Sequence, residues 1–313
     1  MKRWLQTLRG CAAFLGMVLV TLLGFIPLLP LAPVKILAPW PWLKRPAGAG
    51  VLWVSRWWCR GINASILGFR RDRVQYEQQV PNDPDGRYIV ISNHQCWADV
   101  MLLVHVLEPQ LPFTRYFIKE QLRWLPVVGM ACWALDFPFM KRHSREQIEK
   151  NPELRNQDME TIRRSCEVFR DQPVSLINFA EGTRSTAAKR KAANSPYRVL
   201  LPPKAGGSAF AVNAMHGVLD GIIDVTIAYV NTPEPKFWDM LCGRIDRVVI
   251  RSRRLNVPQD LLQGDYTEDP DYRARFKAWL EDLWAEKDVE VAALQDPRQS
   301  ATRFSQIEPR NSS

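Results

Sequence analysis

The sequence predicts an α/β domain behind a hydrophobic N-terminal membrane anchor, on three observations. From about Arg70 onward, short β-rich runs alternate with helical patterns. No charged residue lies between Arg9 and Lys35. Composition changes sharply near residues 68–72, which divides the chain into an anchor and interfacial segment (1–70), a globular domain (71–287) and a polar, flexible tail (288–313). With 313 residues, of which 46 % are hydrophobic and 24 % charged, the chain can bury a full core, and wholesale disorder is excluded.

The front end reads "MKRWLQTLRGCAAFLGMVLVTLLGFIPLLPLAPVKIL". Its uncharged run is long enough to cross a hydrocarbon layer of roughly 30 Å. Lys2, Arg3 and Arg9 form a basic leader like that of a secretory signal. The run is long for such a signal, however, and no A-x-A site follows it, so an uncleaved anchor is the better reading. Pro27, Pro30 and Pro33 disturb its distal part, leaving spanning and re-entrant geometries both open.

In the next segment Trp53 and Trp57, and likewise Arg56 and Arg60, are four residues apart and share helix faces. Six of the twelve tryptophans fall in the first 58 residues. Indole rings favour the headgroup zone, so this segment reads as interfacial; the competing reading packs it on the globular domain. Lys35, Lys44, Arg45, Arg56 and Arg60 outnumber the basic residues of the leader. The positive-inside tendency then puts the domain on the cytosolic side, and a bacterial inner membrane is the expected location.

Strands are expected at Tyr88–Ser92, Thr114–Ile118, Phe137–Met140, Val174–Phe179 and Asp224–Tyr229, with a sixth at Val248–Ile250. Met159, Ile162, Cys166 and Phe169 recur at three- and four-residue steps, which predicts a helix over Arg155–Arg170. Phe276, Leu280, Leu283 and Trp284 predict another over Asp269–Glu286. Both stripes are read as core packing.

The formal net charge of +9 favours an anionic partner. The six cysteines are scattered, with no C-x-x-C pair, and the four histidines lack metal-ligand spacing. A disulfide framework, a zinc site and any other metal are therefore not expected.

The chemistry-bearing stretches begin with "YIVISNHQCWADV". On one continuous helix, five residues advance about 500°, so His94 and Asp99 would point apart. They meet only if His94 lies in the turn before a helix and Asp99 in its first turns, with Ser92 or Asn93 as the cap. A neutral imidazole is a suitable base, and a carboxylate on its other nitrogen fixes the tautomer. In "SLINFAEGTRS", Gly182 can take turn conformations closed to other residues, and Arg184 offers a planar cation suited to phosphate. "FPFMKR" ends a strand in Lys141-Arg142, and "LLPPKAGG" places Lys204 before Gly206-Gly207. Taken singly, each is ordinary.

Their order is not ordinary. N-H-x-x-x-x-D, F-x-x-R, E-G-T-R and P-x-K-x-G, running from about Arg87 to Tyr229, closely resemble the glycerolipid acyltransferase family, which includes the lysophosphatidate acyltransferases. The resemblance implies one acyltransferase-type domain with a mixed, largely parallel sheet flanked by helices. It implies transfer of an acyl group from the thioester of coenzyme A or acyl carrier protein to a lysophospholipid, most simply lysophosphatidate, with no metal or redox cofactor. His94 would match the base and Asp99 its partner. Arg142, Glu181, Gly182, Thr183 and Arg184 would match acceptor-binding positions, and Lys204 and Gly206 a later Pro/Gly block. Many members carry an acidic residue where this chain has Lys141, which clouds the acceptor's identity. "DVTIAYVN" matches the last block only loosely and contributes no site residue.

Two other readings stand beside this one. Cys96 could form an acyl-enzyme and make the chain a thioester hydrolase, although residues i and i+2 on a helix point apart. Alternatively the chain is a membrane-tethered basic binding protein without catalysis. No aromatic-basic nucleic-acid signature supports a nucleic-acid partner for it.

Overall fold

The computed structural model describes residues 3–68, 71–125, 128–140, 160, 163–164, 166–264, 266 and 268–296. Two long helices open the chain, α1 (Arg3–Leu37) and α2 (Pro41–Leu67). They pack antiparallel: Gly61 faces Val20, Gly24 faces Trp58, and Gly50 faces Leu31. A Cβ on Gly61 would lie 2.6 Å from Val20, so glycine sets this close approach. The three prolines sit within α1 without ending it. Among the described residues α1 is the one helix long and apolar enough to cross a membrane.

Next come β1 (Val74–Gln79), β2 (Arg87–Ser92), α3 (Ala98–Leu107) and β3 (Thr114–Tyr116). A small lobe follows, made of β4 (Ile118–Lys119), α4 (Val128–Ala134) and β5 (Phe139–Met140). The chain continues through β6 (Val174–Phe179), α5 (Ala187–Ala192), α6 (Ala205–Ala214) and β7 (Gly221–Val230). It closes with α7 (Phe237–Leu241), β8 (Arg247–Arg254), α8 (Gln259–Leu262) and α9 (Pro270–Gln295).

Six strands form one sheet in the order β1-β8-β7-β2-β6-β3. The β7–β8 pair is antiparallel and the other pairs are parallel, so the sheet is mixed and largely parallel. Along β2, Tyr88 and Val90 enter the core on one face, while Ile89 and Ile91 enter the core on the other. A strand covered on both faces needs apolar side chains at every position, which is why it reads as an unbroken run. Helices α1, α2 and α3 cover the first face, and α6 and α9 the second.

Several expectations need correction. The run Thr114–Ile118 divides at Phe117: β3 stays in the main sheet, while β4 turns away to pair with β5. Of Phe137–Met140, only Phe139 and Met140 are strand, and they lie outside the main sheet. The run Val248–Ile250 extends to Arg254 because Arg251 and Arg253 are partnered by Glu77 and Glu290 and by Asp224 and Glu286. Of the helix expected at Arg155–Arg170, residues 160, 163–164 and 166–167 are described and helical, and Cys166 and Phe169 are buried. The tail does not begin at residue 288: α9 runs on to Gln295, with Asp288, Val291 and Leu294 buried. Residues 297–313 lie outside the described residues.

The composition change near residue 68 marks the end of α2, yet the core crosses it. Ala32 of α1 and Val51, Val54 and Ile66 of α2 are buried in the same cluster as Leu102, Leu103 and Tyr229. One face of α2 packs on the domain, while Trp53 and Trp57 remain exposed. The reading that packs this segment on the globular domain therefore holds for the buried face.

Candidate active site

The site forms where two neighbouring strands end together. In the β2–β6 pair Ser92 lies opposite Phe179, so the residues that follow, Asn93-His94 and Ala180-Glu181, emerge side by side at the C-terminal edge. Asn93 does not cap α3. Its side-chain amide pairs with the backbone of Ile227 on β7, donating to the carbonyl and accepting from the N–H, both at 2.8 Å. Nor does Ser92 cap it; its hydroxyl donates to the Asn93 carbonyl.

The polypeptide between β2 and α3 instead wraps around Asp99. Oδ2 of Asp99 accepts from the backbone N–H groups of Gln95 (2.7 Å) and Cys96 (2.8 Å), and it lies 2.9 Å from His94 Nδ1. Oδ1 accepts from the Tyr229 hydroxyl at 2.5 Å. Asp99 is fully buried, and a buried carboxylate is tolerated only with such a set of donors. His94 therefore lies in the turn and Asp99 in the first turn of α3, the arrangement that the five-residue spacing requires. With Nδ1–H donating to the carboxylate, Nε2 carries the lone pair of a neutral imidazole. The imidazole keeps 12 % exposure and stacks on Phe179 at 4.2 Å between centroids.

The loop after β6 grips His94 by its backbone. Glu181 Oε1 accepts from His94 N–H at 2.8 Å, and the Ser185 N–H donates to the His94 carbonyl at 2.8 Å. Oε2 of Glu181 accepts from Leu201 N–H at 2.9 Å. Glu181 is buried, and both its oxygens are engaged by the backbone, so its side chain braces the site from within. Burial pushes its carboxyl up to about 8, and the two N–H donors and Lys287 act in the opposite direction.

Gly182 follows at φ +69, a conformation that L side chains rarely adopt, and a Cβ there would lie 3.3 Å from the Lys204 side chain. Thr183 is exposed and its hydroxyl accepts from Lys189 Nζ at 2.6 Å. The Arg184 guanidinium stacks over the exposed Trp97 ring, 4.8 Å from its centroid. The structure thus gathers His94, Asp99, Glu181, Gly182, Arg184 and Lys204 around two adjacent loops. Gly206 stands apart: a Cβ there would meet Phe210 and Tyr266. Arg142 and its neighbour Lys141 lie outside the described residues.

The sequence reading missed Tyr229, Phe179 and Trp97, and gave Asn93 only as a cap rather than as the partner of Ile227. It also missed the part played by α9. Asp288 accepts from the N–H groups of Arg198, Val199 and Leu200, and Trp284 Nε1 donates to the Leu201 carbonyl. Gln295 Nε2 donates to the side chain of Gln95, next to His94. Through the 198–201 loop, α9 holds the segment that holds Glu181.

Cys96 is poorly placed for nucleophilic chemistry. It is buried, and burial together with the Asp99 charge pushes its thiol up to about 11. Cys96→Ala is expected to keep turnover within a few-fold of wild type, with about 1–2 kcal/mol of stability lost to the small cavity. A steady-state assay beside a denaturation curve checks this; loss of turnover in a folded variant would restore the acyl-enzyme reading.

The family model described as Acyltransferase matches residues 71–230. Among named relatives, 1-acyl-sn-glycerol-3-phosphate acyltransferase 3 of Arabidopsis thaliana is 24 % identical over 258 residues, covering 77 % of this chain and 60 % of that protein. 1-Acyl-sn-glycerol-3-phosphate acyltransferase epsilon of Mus musculus is 25 % identical over 221 residues, covering 64 % of this chain and 56 % of that protein. The alignments thus take in less than two thirds of either relative's length. In fold, the chain resembles the crystal structure of the 1-acyl-sn-glycerophosphate acyltransferase PlsC from Thermotoga maritima, with a TM-score of 0.53 and 18 % identity. That superposition covers 91 % of this chain and 95 % of the other.

Proposed function

The chain belongs to the acyltransferase family, and from that premise we propose that it transfers a fatty acyl group from a thioester to the free hydroxyl of lysophosphatidate, forming phosphatidate. The observation that carries this reading is the buried line Tyr229–Asp99–His94, with the Arg184 cation at the mouth of the same loop pair. The names of the Arabidopsis and mouse relatives, both 1-acyl-sn-glycerol-3-phosphate acyltransferases, support the acceptor.

In this mechanism Nε2 of His94 takes the proton of the acceptor hydroxyl as its oxygen attacks the thioester carbonyl. The C–O bond forms, and the carbonyl π electrons move to oxygen. When they return, the C–S bond breaks, and the imidazolium gives its proton to the departing thiolate. The Asp99 charge stabilises the imidazolium between these events. Arg184 would hold the acceptor phosphate, fixing the hydroxyl near Nε2. Proton transfer and substitution at a thioester are complete without a metal or redox cofactor. Coenzyme A and acyl carrier protein both fit as the donor's carrier.

Membrane association is suggested by the apolar α1, and its geometry favours one leaflet over a full crossing. α1 meets the domain near its start, where the Arg244 guanidinium donates to Thr7, and near its end, where Lys35 pairs with Asp136. These points are roughly 40 Å apart at 1.5 Å per residue. A helix crossing the hydrocarbon layer could not hold one globular face at both ends. The domain would sit on the cytosolic side of a bacterial inner membrane, where the anionic leaflet suits a chain of net charge +9.

The test supplies the purified chain with lysophosphatidate and a long-chain acyl thioester of coenzyme A or acyl carrier protein, and follows thiol release and phosphatidate by mass spectrometry. Matched release and product formation are expected; thiol release without phosphatidate from either donor would sink the proposal. Arg184→Ala is expected to raise the lysophosphatidate KM about 10- to 100-fold, the scale of a lost charged hydrogen bond. Turnover of the neutral monoacylglycerol, which has no phosphate for Arg184 to hold, should barely change.

A further inference from the structure

The lobe between β3 and β6 carries exposed apolar surface that the proposed chemistry does not use. Trp124 is 82 % exposed and Trp133 is 45 % exposed, with Leu122 and Leu125 open beside them. The Arg123 guanidinium lies 5.2 Å from the centroid of the Trp133 ring, and Lys119 is exposed at the start of the lobe. Such a concentration of exposed apolar side chains on a small lobe marks a surface that something covers.

Its position identifies what covers it. Lys35, in the last turn of α1, donates to the Ala134 carbonyl at the end of α4 and pairs with Asp136 at 2.6 Å. The lobe is therefore continuous with the distal end of α1, where Leu37, Trp40 and Trp42 are exposed. Its chemistry is that of the headgroup zone: indole rings, short apolar side chains and a guanidinium packed on an aromatic face. The cations Arg123 and Lys119 suit anionic headgroups.

We propose that Lys119, Leu122, Arg123, Trp124, Leu125 and Trp133 form a second lipid-contacting surface, which seats Trp124 and Trp133 in the headgroup zone of a bilayer containing anionic lipid. This rests on the reading that α1 lies in the membrane. The lobe would then help to fix the rotation of the domain about α1.

The experiment uses the full chain labelled with 5-fluorotryptophan in nanodiscs of phosphatidylcholine and phosphatidylglycerol. Fluorine resonances of Trp124, Trp133 and Trp4 are assigned from Trp→Phe variants. Trp4 reports on α1, where it is exposed. A lipid spin-labelled near its glycerol backbone should broaden the Trp124 and Trp133 signals at least several-fold, while a water-soluble paramagnetic chelate leaves them sharp. If the lipid label broadens Trp4 but neither Trp124 nor Trp133, the second surface is disproved while α1 keeps its place in the membrane. If Trp4 is also untouched, the membrane reading of α1 fails together with the proposal. Protection of Trp124 from both probes would mean that another protein copy covers the lobe, which also overturns it.

Discussion

Replacing His94 with alanine is expected to lower kcat by about two to four orders of magnitude while leaving the chain folded. The two strong bonds that His94 makes to the neighbouring loop are backbone bonds, from its N–H to Glu181 and from Ser185 N–H to its carbonyl, and alanine keeps both. The loss should therefore fall on catalysis. Asp99→Asn separates geometry from charge. An asparagine can point its oxygen at the Gln95 and Cys96 N–H groups and its NH2 at the Tyr229 oxygen, so the turn survives. What disappears is the negative charge that stabilises the imidazolium, and kcat should fall nearly as far as in His94→Ala. Tyr229→Phe removes one donor to Asp99 and keeps the ring, with an expected loss of about 10- to 100-fold. Steady-state kinetics beside thermal denaturation of all three variants decide the matter. If folded Asp99→Asn turns over at the wild-type rate, Asp99 does not serve His94.

How much of this site was legible in the sequence depended on the range of the interaction. His94 and Asp99 are five residues apart, so local geometry alone required a turn and then a helix. The strands Tyr88–Ser92 and Val174–Phe179 were legible because burial on both faces keeps most of their positions apolar, with Ser92, Ser175 and Asn178 the buried exceptions. Tyr229 was not legible as a partner, because its contact with Asp99 spans 130 residues and depends on β7 lying beside β2. The polar strand β1 was invisible for a different reason. Among the described residues it lies at the sheet edge beside β8, and it needs no apolar run. α9 was cut short because Lys287, Asp288 and Glu290 look like a solvated end. In the fold, Lys287 pairs with Asp224 and Asp288 receives three backbone N–H groups, so these charges are interior. A charge with a distant partner cannot be told from a solvated one in the sequence.

Glu181 should make the folded state lose stability as pH rises from about 5 to about 8, and Glu181→Gln should remove that part of the dependence. The sign follows from where the proton is held. Burial raises the folded carboxyl from the ordinary 4.5 to about 8, so between these values the folded chain keeps a proton that the unfolded chain has released. Raising the pH then favours the state that binds fewer protons, which is the unfolded one. At about 1.4 kcal/mol per pH unit, the effect across this window is on the order of 4 kcal/mol. The stabilising contribution is complete below the unfolded value and is gone above the folded one. Glutamine cannot ionise, although its NH2 must face one of the two N–H groups that Glu181 receives, so Glu181→Gln should start from a lower baseline. Urea denaturation of both forms at pH 5, 6.5 and 8 separates that constant offset from the slope. A wild-type chain as stable at pH 8 as at pH 5, parallel to the variant, would mean that Glu181 is ionised throughout. It would then brace His94 as a carboxylate held by two backbone donors and favoured by the Lys287 charge.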